Sequence, residues 1–425
     1  MLMTSLAMST PIDLPPPPLT PTALSLLRAF RHRNYRLFFS GQLVSLMGTW
    51  MQSVAQGWLV YTMTHSPLLL GLTSFCSQVP VFFIAPFGGT ISDRVDRRRL
   101  LIVTQGLSML QAAVLATLTL THVVKVWEIV ALAFSMGLIN AFDVPTRQAF
   151  TIEMVGRDDL RNAIALNSVM FNLARVIGPS AAGLIVAFAG EGVCFALNAF
   201  SYAAVLASLV FMQVAVRPRP AHEHPLREMQ AGFVYAWRTR PIRVALMLVA
   251  ASSCFGAAYL ALMPAIARDV LHQGSEGLGF LMASVGVGAL CGAYVLSRVH
   301  DRHLMLTPVV SAAGFGLCLI LFAHSHWLPL SMALLLPTAF CLMLLGGSSN
   351  TILQTVAEDR MRGRVVAFYA MAFMGMMPWG SLLLGWLATR IGVGAAVTGG
   401  GIVVIASAVV AWFDRSARLR TAAAE

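Results

Sequence analysis

The sequence predicts an all-α membrane protein with twelve transmembrane helices arranged as two pseudo-symmetric six-helix bundles. Three observations carry this expectation. Of 425 residues 57% are hydrophobic and only 11% charged, with a mean hydropathy of +0.75, whereas a soluble domain carries about 25% charged residues. The apolar residues fall in runs of the roughly 20 that a helix needs to cross a bilayer. The remaining charges are mostly basic and gather on alternate loops between those runs.

From the amino terminus, residues 1–35 hold Pro11 and the run Pro15 to Pro18 but lack the basic start and long apolar core of a secretory signal. A disordered cytoplasmic tail is expected there. Spans follow at Leu37 to Tyr61, Leu68 to Ile91, Leu100 to Thr121, Val126 to Thr146, Ile164 to Phe188 and Val193 to Gln213, giving a first bundle over 36–213. Residues 214–243 are the one long polar segment, ending in an amphipathic stretch around Phe233, Tyr235 and Trp237, and are read as a linker. The second bundle, 244–414, has spans at Val244 to Ala267, Leu278 to Ser297, Leu304 to Ala323, Leu328 to Asn350, Val365 to Thr389 and Val393 to Phe413. A short tail, 415–425, closes the chain. The halves repeat at an offset of about 200 residues. Arg36 answers Arg243, Gly71-Leu72 answers Gly277-Leu278, Asp158 to Arg161 answers Asp359 to Arg362, and Pro179 answers Pro378.

Orientation follows from the Lys/Arg excess that cytoplasmic loops carry. Of the 29 Lys and Arg residues, only Lys125, Arg268 and Arg390 fall in loops on one face and Arg175 inside a span; the others share the opposite face. Both termini and the linker are therefore expected in the cytoplasm, and the net charge of +11 reflects topology, not a nucleic-acid footprint. The six cysteines lie within apolar runs without metal-ligand spacing. His324 and His326 supply two ligands at most, so no metal site and no cofactor are expected. No G-x-S-x-G, H-E-x-x-H or phosphate-loop pattern is present, which argues against an enzyme.

Arg175 is the only basic residue well inside a span. An arginine near the bilayer centre costs at least about 2.5–3.5 kcal/mol, so it should face a wet cavity or a partner. It is the leading candidate for binding an anionic group or coupling to protons. Pairing with helix carbonyls or with Asp143, at the end of span four, is the structural alternative. Gln52 and Gln56, four residues apart, share a face of span one with Thr49 near Trp50 and Trp58. Asn140, Asn172, Asn350 and Gln354 add amides in spans four, five and ten. Such a cavity suits an amphipathic, anionic molecule, although any one amide can equally be packing glue. Acids near membrane depth are Asp143, Glu128 and Glu153, and no interior carboxylate is read in the second half.

The segment Gly89-x-x-x-Asp93-Arg94-x-Asp96-Arg97-Arg98, between spans two and three, resembles motif A of the major facilitator superfamily, with Asp96 where that motif usually has glycine. Further stretches are similar to the bacterial branch that includes enterobactin exporters: Pro145-x-Arg147, Ala174-Arg175-x-x-Gly178-Pro179-x-x-x-Gly183, Glu223 to Leu226 with Ala231 to Phe233, and Arg362-Gly363-Arg364-Val365. The resemblance implies a monomeric secondary transporter of the inner membrane that exports a siderophore or drug-like molecule by proton antiport and alternating access. An importer or a lipid or lysolipid flippase of the same fold is the alternative. It also implies a conformational gate built from Gly89, Asp93, Arg94, Arg97 and Arg98. There Asp93 would meet the start of span eleven near Arg364, stabilising the positive end of that helix. Gly178, Pro179 and Gly183 would bend span five and let a neighbouring helix approach closely.

Overall fold

The computed structural model describes Leu27 to Ala422 apart from residues 214–224 and His300; within its helices the side chains of 86–90, Asp93, 225–231, 301–302 and 415–422 lie outside the description. The helices are α1 (Arg33–Thr64), α2 (Pro67–Arg94), α3 (Arg97–Leu120), α4 (Val126–Val155), α5 (Leu160–Ala189), α6 (Glu191–Phe211), α7 (Pro225–Arg238), α8 (Arg240–Val270), α9 (Ser275–Leu296), α10 (Thr307–Ala323), α11 (Leu328–Val356), α12 (Asp359–Ile391) and α13 (Val393–Ala422). Among the described residues, ten of these are long and apolar enough to cross a membrane. The apolar α10 is shorter, at 17 residues. The 32-residue α1 carries Gln52 and Gln56, which lower its mean hydropathy. With α7 set aside as a polar linker helix, these elements fit twelve spans.

Local chemistry ends the helices where the sequence changes character. Ser66 caps α2 by accepting from the Leu69 amide, with Pro67 supplying a preset first-turn φ. The turns α5–α6 and α12–α13 each pivot on one glycine, Gly190 at φ 82° and Gly392 at φ 87°, a region that costs other residues.

Four boundaries differ from the sequence reading. The segment Gly89 to Arg94 is not loop but the last turns of α2, and only Val95 and Asp96 break the helix. Asp96 is an N-cap, its carboxylate accepting from the Arg98 and Arg99 amides at 2.9 and 3.2 Å, which explains an acid where glycine is usual. Order at the amino terminus begins before residue 36, because a turn at Arg28–Arg31 precedes α1 and the Ala29 amide donates to Asn162 on α5. Span seven runs on to Val270, so Arg268 and Asp269 belong to its final turn and not to a loop; an acid was hidden there by the sharp drop in hydropathy. Finally, residues 240–243 of the expected linker already form the first turn of α8, and 225–238 form α7.

α8 is irregular. Two widened turns, Ser252–Gly256 and Ile266–Val270, enclose a tightened stretch, Ala257–Leu262. Helix α12 carries a similar widened turn at Met371–Gly375. The two interlock: a Cβ on Gly380 would lie 1.8 Å from the Cys254 carbonyl oxygen.

The halves meet on the face with few charges. There Gly71 of α2 lies against Ser381 and Gly385 of α12, and Gly183 of α5 against Ser275 and Gly279 of α9, two pseudo-symmetric glycine contacts. Three hydrogen bonds between described residues cross the halves, all toward this face: Tyr61 to the Asp269 carboxylate, Ser74 to Ser381, and Ser275 to the Gly183 carbonyl. Toward the basic face, several contacts run within the first half. Arg97 donates to the Ala149 carbonyl and pairs with Glu153 at 3.2 Å, while Arg98 donates to the Leu209 and Val210 carbonyls. The first segment of α12, Asp359–Ala370, packs on α7, α8 and α11 of its own half.

Candidate functional site

The candidate site is built on α5. Pro179 has no amide hydrogen, so the Arg175 carbonyl four residues earlier loses its helical donor. At that level Gly286 of α9 comes in, where a Cβ would sit 3.3 Å from the Arg175 oxygen. One turn on, Gly178 lets α1 approach: a Cβ there would lie 2.7 Å from both the Met47 oxygen and the Trp50 Cβ. Arg175 is thereby fixed mid-helix, immediately on the basic side of the contact that closes the sparsely charged face.

The Arg175 guanidinium lies over the Trp50 ring, 5.8 Å from its centroid, and Trp50 packs edge-on against Phe171 at 5.6 Å. On α8, Tyr259 falls within the tightened stretch. The tyrosine is fully buried and T-shaped on Phe322 at 6.0 Å, and its hydroxyl has no hydrogen-bond partner. Among the described residues Arg175 has no hydrogen bond or ion pair. A cation–π contact contributes about 0.5–2 kcal/mol, below the cost of holding the charge at membrane depth. The ring therefore does not satisfy the cation, and five N–H donors remain for a guest or water.

The other sequence-predicted residues divide. Asp143 is buried and accepts from Thr104 and Gln105, both at 2.7 Å, with Arg147 of its own helix at 3.5 Å; the structure places no contact between it and Arg175. Gln52 is 5% exposed and bonded on both sides within the first half, donating to Gln111 at 3.1 Å and accepting from Asn198 at 2.7 Å. Gln56, one turn further, and Asn140 are partly exposed and make no hydrogen bond among the described residues. Asn172 donates to the Ser168 carbonyl, and Gln354 donates to Asn350 at 3.2 Å. Of the gate residues, Gly89 and the Asp93 side chain lie outside the described residues. Arg94 is exposed at the end of α2, and Arg364 contacts the Met361 sulfur at 3.4 Å. Arg97 and Arg98 brace α3 against α4 and α6.

Sequence reasoning missed Asp269, which accepts from Tyr61 across the halves. The signal was an acid beside a base at the end of span seven, opposite a tyrosine at the end of span one. Nothing in the sequence neighbourhood of Tyr259 separates it from a packing tyrosine.

The profile of the family described as transmembrane secretion effector matches residues 24–424. The chain is 27% identical over 398 residues to the staphyloferrin A transporter of Staphylococcus aureus, covering 91% of this chain and 97% of that one. It is 26% identical over 392 residues to the enterobactin exporter EntS of Shigella boydii, covering 90% and 92%. Among solved structures, a bacterial homolog of the human lysosomal transporter Spinster, in an inward-facing and unoccupied conformation, superposes with a TM-score of 0.67 at 11% identity, covering 89% of this chain and 94% of that chain.

Proposed function

The chain belongs to the transmembrane secretion effector family, within the major facilitator superfamily of membrane transporters, and from that membership we propose that it exports an amphipathic, anionic small molecule. The cargo class is siderophore-like or drug-like, and the route is alternating access in the bacterial inner membrane with both termini in the cytoplasm. Under that orientation the basic face is cytoplasmic, so the arrangement described here has its outer side closed and is the state that loads cargo from the cell. The single observation that carries the reading is Arg175, a mid-membrane cation over Trp50 with its donors unspent. A carboxylate or catecholate fits its planar fork bidentately.

Outward movement is driven by proton antiport in this proposal. Asp143 and Asp269 are the carboxylates suited to carry the proton, the first inside a polar network and the second on the contact that must break for the outer side to open. The protein works as a monomer, each half supplying part of one site.

The test compares metabolites retained by cells with and without the protein, then follows the retained compound, with enterobactin and staphyloferrin A as trial cargoes, in inverted vesicles under a proton gradient. Arg175→Gln should abolish uptake of an anionic cargo with near-normal expression, and Arg175→Lys should restore part of it, because an ammonium is a point charge without the fork. Uptake by the Gln variant equal to that of the parent would remove Arg175 as the anchor. Flux in the opposite direction would favour an importer.

A further inference from the structure

The linker helix α7 has two faces of different kinds. One is fastened to the second half. A Cβ on Gly232 would lie 2.8 Å from the Arg364 Cβ and 3.2 Å from the Phe368 ring, Ala236 is buried with Val365 of α12 and Leu353 of α11, and the Tyr235 hydroxyl accepts from the Glu358 amide at 3.1 Å. On the other face Phe233 and Trp237, four residues apart, stack at 6.0 Å and stay 53% and 52% exposed, with Val234 exposed beside them. Contiguous apolar surface turned outward on a helix otherwise read as polar marks a contact. Two charges frame it. Arg243, in the first turn of α8, holds its guanidinium 5.8 Å from the Trp237 ring centroid and donates to the Trp237 carbonyl at 3.1 Å, while Arg238 is exposed next to Trp237. Neither has a carboxylate partner among the described residues, whereas the nearby acids are matched: Asp414 with Arg240, Glu358 with Arg360 and Asp359 with Arg362. The patch is therefore aromatic with a surplus of positive charge. Only Thr239 separates α7 from α8, so the rings sit directly at the end of a membrane span.

We propose that this face of α7 rests in the headgroup layer of the leaflet on the basic side and recognises anionic phospholipid. Phe233 and Trp237 enter the boundary between headgroups and acyl chains, and Arg238 and Arg243 meet the lipid phosphates. Aromatic residues flanked by arginines are the composition of helices that lie in the interface plane, tryptophan is enriched at that level, and basic residues beside a span draw acidic lipids. An acidic protein would match the arginines as well, but a patch joined to the span by one residue stands at the edge of the bilayer, where lipid reaches it first. The inference does not depend on the cargo or on which side of the membrane the basic face occupies. Its consequence is mechanical: α7 is packed on the first segment of α12, so lipid bound to one face of α7 holds the basic-side end of the second half against the leaflet.

The experiment places a spin label at Val234→Cys in full-length protein without the six native cysteines, reconstituted in nanodiscs of phosphatidylcholine alone or mixed with phosphatidylglycerol. Power saturation compares collisions with oxygen, which concentrates in the bilayer, and with a neutral water-soluble nickel chelate. Phosphatidylglycerol should raise the oxygen-to-nickel ratio by about fivefold, the scale of one basic residue near an anionic surface. Arg238→Gln with Arg243→Gln should abolish that lipid dependence, and Phe233→Ser with Trp237→Ser should return the label to water in both lipids. Should the serine pair lower the thermal midpoint, the glutamine pair, which leaves the aromatic stack in place, still decides. Nickel collisions that dominate in both lipids would put the face in water, open to a protein partner, and overturn the proposal. Low collision rates with both reagents would mean that the chain itself or a second copy covers the patch, which also overturns it. An oxygen-rich signal equal in the two lipids, or unchanged in the glutamine pair, would refute recognition of the anionic headgroup.

Discussion

Gly71→Ala is the most direct probe of the closure between the halves. The added methyl would lie 2.3 Å from the Ser381 carbonyl oxygen, 3.0 Å from its carbonyl carbon and 3.3 Å from the Gly385 Cα. Favourable separations begin near about 3.5 Å, so α2 and α12 must part by more than about 1 Å. Neither obstacle is a flexible side-chain end; both are backbone of a packed helix. Overpacking of this kind costs about 1–3 kcal/mol, and in the proposed alternating-access cycle the contact exists only while the sparsely charged face is closed. The penalty therefore falls on one state, which moves the ratio of closed to open by about 5- to 150-fold. Spin labels at Thr121→Cys and His326→Cys, on loops of opposite halves at that face, read the change as a longer distance population in a background without the six native cysteines. An unchanged distance distribution in Gly71→Ala, with transport and thermal midpoint also unchanged, would refute the claim that this glycine contact holds the face shut.

Two other outcomes are expected. Gln52→Leu should destabilise the first half, because Gln111 and Asn198 each lose a buried partner. At about 0.6–1.7 kcal/mol per interhelical hydrogen bond in membranes, the loss is about 1–3 kcal/mol in a denaturant titration, and a loss near zero would return Gln52 to the role of a cargo contact. Asp159, just before α5, is held below the usual carboxylate range chiefly by its hydrogen bond with His32 and then by the Arg28 charge. A depressed carboxylate stabilises the fold above its unfolded value of about 3.9, and that contribution disappears as pH falls through the lower folded value. Asp159→Asn should thus flatten the decline of the thermal midpoint below pH about 4, and an identical acid limb in both proteins would count against the pair.

The reach of sequence reasoning shows in particular residues. Arg175 was legible because its signal is a local cost: one cation in an apolar run demands an explanation wherever the helix points. Gln52 and Gln56 were not separable, although they differ by a single turn. The small rotation between them, with the different neighbours each meets, sends Gln52 into the first bundle and leaves Gln56 partly exposed. Arg97 and Arg98 read as gate charges from their motif; the structure adds that they also brace α3, through carbonyls and a carboxylate of the first half. Asp269 fell beyond a hydropathy boundary that widened turns carry further along α8.

By itself the sequence determined the apolar spans, the basic face and the repeat, because hydropathy, charge and offset are sums over neighbours along the chain. Tertiary structure alone decided on which face the halves pack backbone to backbone, as at Gly71 and Gly183, and that Tyr61 meets Asp269 there. Those outcomes depend on the rotation and register of helices about 80 or more residues apart in sequence, set by backbone contact at glycines and by where α8 leaves regular geometry.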